Sequence, residues 1–374
     1  MGILSSLFGK KATAKEEHIS ARASDQKKET SMTVSFHLRG KPDANGLYPS
    51  ELIMLSLAEH YKINETIFPG YLTHTYEIAN PSKMLKSLQA KGLIDVGSPK
   101  DVLLGFKLPE LKEIASSLGL TAKGKKADII AQLSDVKEEE LGARVKERSW
   151  KLTDNGQAVL KENPYIHYFL EKHPYNVNDV GVDIWSVNEE FIKNPKRPYR
   201  DLIYRQLNSQ MNKASIAFQK DPMSGSANTH KYCECYRIMG LFIEEEGKSF
   251  VNAADLYFQY LFKRINIHAG LQLLKSYKLF ANDKKYQNES IQRYYEDIQL
   301  LPFHKTEFLR LIEELDVENT AVRDALITSF KRANDTGIMN EQEAADFVLF
   351  EINGEVDKSR DLAIKLAKKA VKKI

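Results

Sequence analysis

The sequence predicts a mainly helical protein of several domains, and three observations support this fold class. Its 374 residues suffice for two or three domains of ordinary size. A hydrophobic fraction of 42% lets the chain bury a sizeable core, which excludes disorder along its whole length. Apolar residues recur at helical spacing through most of the chain, whereas two short segments, 93–96 and 149–152, have the character of strands.

Composition narrows the class of protein further. Two cysteines exclude a disulfide framework and favour a reducing compartment, so we expect a cytoplasmic protein. No apolar run reaches the roughly 18 residues that a membrane-spanning helix requires. The net charge is only +3, so any affinity for nucleic acid must come from local basic patches.

Residues 1–32 are expected to form a disordered tail, because residues 10–31 are polar and lack aromatic residues and apolar periodicity. The apolar segment Met1–Phe8 is too short for the core of a signal peptide. Its Met-Gly-x-x-x-Ser pattern fits N-myristoylation. There are two alternatives for this segment. It is either a short amphipathic helix that touches a membrane or a partner, or a frayed chain end.

The ordered part begins near residue 33 with two predicted helices. Ser50 is placed to cap the first helix, which is apolar on most sides. Asn80 and Pro81 begin the second, since asparagine is a good cap and proline suits the first helical turn. Gly92 ends it.

The second helix has a polar face that we single out as a candidate site. Its apolar stripe consists of Met84, Leu85 and Leu88. At about 100° per residue, Lys83 and Lys86 point away from this stripe.

The two strand-like segments are expected to pair with each other. Leu93–Val96 has an apolar face but no partner nearby in the sequence, and the first later segment of strand character that ends in a helix cap is Ser149–Leu152. We therefore predict an antiparallel pair with residues 99–147 extruded between the strands. Loop closure permits this, because each doubling of loop length costs only about 0.6 kcal/mol.

The inserted residues contain the most specific motif of the chain. Residues 106–120 predict a helix ended by a glycine, residues 121–126 a tight basic turn, and residues 127–133 a second short helix. The two helices can share a miniature core made of Leu108, Leu111, Ile114, Leu118, Leu120, Ile129, Ile130 and Leu133.

This pattern closely resembles the SAP domain, a DNA-binding module of about 35 residues with two helices and an extended loop. The matching residues are Leu108-x-x-Leu111-Lys112, Leu118-Gly119-Leu120 and Lys123-Gly124-Lys125-Lys126-Ala127-Asp128-Ile129-Ile130. The resemblance implies that the loop and the start of the second helix meet DNA, which assigns that contact to Lys123, Gly124, Lys125 and Lys126. A helix N-terminus flanked by lysines suits a phosphate. Some modules of this family bind RNA or protein instead.

The residues around the insertion resemble a winged-helix domain. The resemblance rests on a helix, Gly-Leu-Ile and a strand, followed by a returning strand that ends in Leu152-Thr153-x-x-Gly156. It implies that helix 80–91 is the recognition helix, which makes Lys83 and Lys86 candidates for base contacts. The domain would comprise residues 33–98 and 149–163, with the SAP domain at 101–136 inserted in its wing. The whole order resembles uncharacterised SAP-domain proteins of phages and mobile elements of Gram-positive bacteria.

The second half of the chain is predicted to be helical. Residues 164–197 form a connecting segment that ends in a proline-rich basic cluster, and 198–330 form a helical domain. Gly247, Ala253 and Tyr257 make part of it resemble one tetratricopeptide-type hairpin, which implies a protein partner; a generic helical domain is the alternative.

Residues 331–374 are predicted to be a further helical region with a basic end. Residues 358–374 carry seven Lys or Arg and one acidic residue, Asp361, a net charge of +6 (7 − 1). This pattern fits a helix that lies on nucleic acid or on an anionic membrane. A solvated helix whose lysines favour its own C-terminus explains it equally well.

No segment predicts catalysis, a cofactor or a metal. The spacing His230-x-x-Cys233-x-Cys235 is not that of a usual zinc site, and neither a glycine-rich phosphate loop nor a nucleophile elbow occurs. The sequence therefore predicts a non-enzymatic DNA-binding protein with a helical partner-binding domain. A helical scaffold or phage structural protein whose SAP module docks protein is the alternative, and an enzyme with an unrecognised site comes third.

Overall fold

The computed structural model describes residues 38–221, 226–247, 249–335 and 337–373. These residues are mainly helical, as predicted, and they contain one two-stranded sheet. The predicted tail at 1–32, with its Met1–Phe8 segment, lies outside the described residues.

The first half of the described chain alternates short helices with two strands. Its elements are α1 (Pro49–Leu57), α2 (Gly70–His74), α3 (Pro81–Ala90), β1 (Ile94–Val96), α4 (Leu108–Ser117), α5 (Lys126–Ser134), α6 (Glu138–Arg144), β2 (Trp150–Leu152), α7 (Asp154–Glu162), α8 (Tyr165–Leu170) and α9 (Ile184–Lys193), with 3-10 turns at Ala58–His60, Asp101–Gly105 and Val177–Val180. Asn80 caps α3 as predicted, accepting a hydrogen bond from the Lys83 N–H at 3.0 Å. The predicted Ser50 cap is wrong: α1 begins at Pro49, and the buried Ser50 hydroxyl donates to Tyr76 O at 2.9 Å.

The two strands pair antiparallel, which confirms the predicted pairing across the insertion. Ile94 lies opposite Leu152, and Val96 lies opposite Trp150. A third segment runs along the other edge of β2, where Lys62 bridges Ser149. There Trp150 N donates to Tyr61 O at 3.2 Å, and Ile63 N donates to Arg148 O at 2.9 Å. β2 therefore lies between β1 and residues 61–63.

The Leu-Thr-x-x-Gly sequence joins β2 to the start of α7. Thr153 caps α7, because its Oγ1 accepts a hydrogen bond from Gly156 N at 3.1 Å. The Thr153 N–H also donates to Leu93 O at 3.1 Å. Gly156 packs directly on the same carbonyl, and a Cβ at this position would lie 2.1 Å from Leu93 O. Only glycine fits this contact without displacing the backbone.

The residues between the strands surround a core of their own, as predicted. Its buried members are Val102, Leu103, Phe106, Leu111, Ala115, Ile129, Leu133, Leu141 and Val145, and the partly buried Leu108, Ile114, Leu118, Leu120 and Ile130 pack against it. The segment 136–148, whose density of charges is typical of a solvated helix, supplies Leu141 and Val145. This core therefore extends beyond residues 101–136.

The second half is a set of packed helices. They are α10 (Tyr199–Lys220), α11 (Ser226–Gly247), α12 (Phe250–Lys263), a π-helical turn (Arg264–Ala269), α13 (Gly270–Leu279), α14 (Lys284–Ile298), α15 (Pro302–Glu314), α16 (Asn319–Ala333), α17 (Glu341–Ile352) and α18 (Val356–Val371). α11 packs against α10 and α12, while α18 packs against α14 and α17. The predicted boundary at residue 330 lies inside α16.

A buried lysine ties three parts of this helical half together. Lys263, at the end of α12, has no exposed surface. Its Nζ donates to Tyr232 Oη of α11 at 2.9 Å and to Ala333 O at 3.3 Å, and it pairs with Asp335. A buried charge needs such partners, because an unpaired one is strongly destabilising.

Candidate nucleic-acid interface

The basic turn between α4 and α5 has a backbone that favours glycine. Gly124 has a φ of +119°, a conformation that other residues rarely adopt. The turn is also tight, because a Cβ on Gly124 would lie 2.8 Å from the carboxylate Oδ2 of Asp128. Lys123 N donates to Thr121 O at 2.8 Å within the same turn. The chain therefore presents Lys123 and Lys125 on either side of a sharp change in direction.

All three lysines assigned to DNA contact are exposed, and Gly124 is exposed with them. Lys123 and Lys125 form no ion pair with any described residue. Lys126 differs, because its Nζ donates to Leu104 O at 2.8 Å and so connects the start of α5 to the 3-10 turn before α4. Lys123 and Lys125 are thus the lysines of this turn whose ammonium groups are available to a phosphate.

Asp128 occupies part of the helix start that the sequence assigned to a phosphate. Its Oδ2 accepts a hydrogen bond from Lys125 N at 2.7 Å, so the carboxylate caps α5. The sequence carries a local signal for this role, because the spacing Lys125-x-x-Asp128 is that of an acidic residue at the third position of a helix, which commonly reaches back to the cap. The anion-binding capacity of the turn therefore depends on the lysine side chains more than on the free helix end.

The polar face of α3 forms the second candidate surface. Met84, Leu85 and Leu88 are buried, and Lys83 and Lys86 are exposed, as the helical periodicity predicted. A contact with an earlier segment fixes the first turn of the helix, since Ser82 Oγ donates a hydrogen bond to Glu65 O at 3.2 Å. α3 can therefore present its lysines on a fixed element.

Polar contacts join the inserted module to the strands that flank it. Lys151 of β2 pairs with Asp101 at 3.2 Å, and Asp101 accepts a hydrogen bond from Ser98 N at 2.6 Å. Partial burial alone would raise the pKa of Asp101, but these hydrogen bonds and the Lys151 charge hold it below its usual value. Lys62 lies with its Nζ 4.4 Å from the centre of the Phe106 ring, a cation–π contact with the module core.

The histidine and cysteine residues that the structure describes are not arranged for metal binding. Cys233 and Cys235 are buried in α11, where burial raises the pKa of Cys235 to about 11 and that of Cys233 further. Within residues 38–373, apart from the gaps named above, no group of three or more His, Cys, Asp or Glu side chains could hold a metal ion.

Comparisons with known proteins give no match: none was found among protein-family models, curated proteins or solved structures. Across the part of the chain that the structure describes, no helix is both long enough and apolar enough to cross a membrane.

Proposed function

We propose that this is a non-enzymatic DNA-binding protein whose SAP-like module contacts the phosphate backbone. The observation that carries the proposal is that Lys123 and Lys125, beside Gly124 at the start of α5, are exposed and form no ion pair with a described residue. Lysines placed in this way strengthen the binding of a protein to DNA, because each phosphate that they neutralise releases counterions from the DNA. Such contacts position a protein on DNA but do not read its sequence.

The surrounding elements support a winged-helix-like arrangement around this module. The order is α1, the 61–63 segment, α2, α3, β1 and β2, with β2 between the other two extended segments. In this arrangement α3 is the recognition helix, and the hairpin of β1 and β2 is the wing. Lys83 and Lys86 would then face base edges in a major groove.

The helical half is proposed to bind a protein partner through a tetratricopeptide-like hairpin of α11 and α12. The two helices approach closely, since a Cβ on Gly240 would lie 3.1 Å from Ala253 O. Ala253 and Tyr257 of α12 are buried. A regulatory or DNA-handling role in a phage or mobile element follows from the resemblance described above and extends this proposal. The presence of only two cysteines favours the cytoplasm as its place.

Salt dependence of duplex binding tests the SAP contact. Fluorescence anisotropy with a duplex of random sequence, measured over a series of salt concentrations, gives the slope of log affinity against log salt. The Lys123→Ala/Lys125→Ala variant should lower that slope by about 1.8, because each lost phosphate contact removes about 0.9.

The matched control is Lys107→Ala/Lys112→Ala, which removes the same charge from exposed positions of the same module. Its slope should stay close to that of the unmodified protein. Equal slopes in all three proteins would show that the turn does not contact DNA. They would favour the alternative, a scaffold or phage structural protein whose module docks protein.

A further inference from the structure

The last helix, α18, has charges that divide it into two halves. In the first half, Lys358 pairs with Glu355, and Arg360 lies 3.5 Å from Asp357. The second half of the helix and the two residues after it carry five exposed lysines, and none of them forms an ion pair with a described residue. Lys373 is one of them. The other four are Lys365, Lys368, Lys369 and Lys372, which we call the α18 lysine stripe. With Ile364 and Asp361 they line an open surface groove of about 740 Å³.

The spacing of the stripe suits a repeated anion. Positions 365 and 368, and 369 and 372, are three residues apart, while 365 and 369, and 368 and 372, are four apart, so the four lysines share one face of the helix. At 1.5 Å per residue the stripe is about 10 Å long. One DNA strand places a phosphate every 3.4 Å along the axis, so about 10 Å is three such spacings and spans four successive phosphates.

Favourable interaction with the end of the helix explains only part of the stripe. The effect of the helix dipole is confined to the last turn, which contains Lys368 and Lys369. Lys365 lies before that turn. Like charges three and four residues apart also destabilise a helix. The clustering is therefore unfavourable in the free protein and becomes favourable when an anion lies along it.

The opposite face of α18 argues against a membrane as that anion. Amphipathic helices that bind membranes insert an apolar face among the lipids. Here the apolar face, which consists of Ala363, Leu366, Ala367 and Val371, is already buried. α18 is also anchored in the fold, since Ser359 Oγ donates to Glu351 Oε1 of α17 at 2.6 Å. Only the charged face is available to a partner.

We propose that the α18 lysine stripe is a second phosphate-contacting surface, which binds the backbone of duplex DNA. The choice of ligand rests on the proposed function, but the residues are independent of the SAP-like module. The stripe would add affinity without sequence preference. The protein would then hold DNA through both halves of the chain.

The test compares variants of the full chain in duplex binding over a salt series. Replacing the four stripe lysines by Gln should lower the slope of log affinity against log salt by about 3.6, at about 0.9 for each contact. The corresponding Lys→Arg variant keeps the charges and should bind like the unmodified protein. A control with Gln at the exposed Lys161, Lys213, Lys278 and Lys331 loses the same net charge and should keep the slope. Circular dichroism melting shows that each variant is folded.

The outcomes separate this inference from the proposed function. A stripe variant that matches its control overturns the inference, even where the Lys123/Lys125 variant loses binding and the proposed function stands. Loss of binding in the stripe variant alone supports the inference and removes the SAP turn from DNA contact. Binding to phosphatidylserine vesicles that depends on the stripe, with unchanged DNA binding, overturns the inference in favour of a membrane. An unmodified protein that does not bind duplex DNA overturns both.

Discussion

Thr153 Oγ1 donates a hydrogen bond to Gly92 O at 2.8 Å, although the two residues are 61 positions apart in the chain. The contact joins Gly92, two residues after the end of α3, to the cap of α7, across the whole inserted module. The inserted residues thus leave and re-enter the fold at neighbouring points. This is why a module with its own core can interrupt a two-stranded sheet without separating its strands.

Gly156 is predicted to be the most sensitive position of this junction. A Cβ there would meet Leu93 O at 2.1 Å, so Gly156→Ala must displace the start of α7 or the residues between α3 and β1. We expect the free energy of unfolding to fall by about 1–3 kcal/mol, the usual cost of overpacking a close contact. Urea denaturation measures this change. Asn155→Ala, at an exposed position of the same helix, is the control, and a Gly156→Ala variant as stable as that control contradicts the prediction.

The sequence predicted those features of the fold that follow from a local pattern of residues or from the need of a strand for a partner. The exposed face of α3 was predictable, because Lys83 and Lys86 follow from helical periodicity alone. The pairing of β1 with β2 was predictable, because an apolar strand without a neighbour needs a partner. Local spacing could also have identified Asp128 as the residue that caps α5.

Contacts between distant residues were not predictable from local patterns. The bond from Lys126 Nζ to Leu104 O depends on the fold of the whole module, and nothing near either residue indicates it. Leu141 was missed because it lies in a run of charged residues that predicts a solvated helix. Lys263 was missed because lysine is rarely buried without a partner, and its partner Asp335 lies far along the chain.

Stability of the helical half should depend on His304. Burial, together with the positive charges of Arg264 and Arg237, lowers the pKa of His304 to about 3. In the unfolded chain the pKa is about 6.5, so below pH 6.5 the unfolded state binds the extra proton. Protonation of His304 therefore does not lower the free energy of unfolding above pH 6.5. As the pH falls from 6.5 towards 3, the unfolded state gains the proton and the free energy of unfolding falls.

Chemical denaturation at several pH values measures this effect. Between pH 6.5 and pH 5 the free energy of unfolding should fall by about 2 kcal/mol more in the unmodified protein than in His304→Gln, at about 1.4 kcal/mol per pH unit. His167→Gln, which removes an exposed histidine, should keep the pH dependence of the unmodified protein. Parallel pH profiles for the unmodified protein and His304→Gln would contradict a depressed pKa.

Asp128 is expected to limit DNA affinity while it stabilises α5. Its carboxylate lies at the start of the helix, beside the lysines proposed to meet phosphate, and Asp128→Asn removes one negative charge while keeping a side-chain oxygen that can cap. Two unit charges about 4 Å apart in water interact by about 1 kcal/mol. We therefore expect duplex affinity to rise up to about fivefold at low salt and by less at high salt, because salt screens the repulsion that the substitution removes. Glu113→Gln, at an exposed position of α4, is the control. Affinity that stays constant or falls in a folded Asp128→Asn variant would show that DNA does not approach this turn.

The helix α3 is expected to recognise specific base pairs of DNA, and this expectation tests the winged-helix proposal separately from the SAP turn. If α3 enters a major groove, Lys83 and Lys86 meet base edges, and a good base contact discriminates between bases by about 1–3 kcal/mol. Selection from random duplexes should therefore yield a motif, and Lys86→Ala should relax it at one position while leaving the rest intact. Lys123→Ala should instead weaken binding to all selected sequences about equally, because a phosphate contact carries no sequence information. Selection that returns no motif, or a motif that Lys83→Ala and Lys86→Ala both leave unchanged, would contradict base reading by α3 and leave only contacts to the DNA backbone.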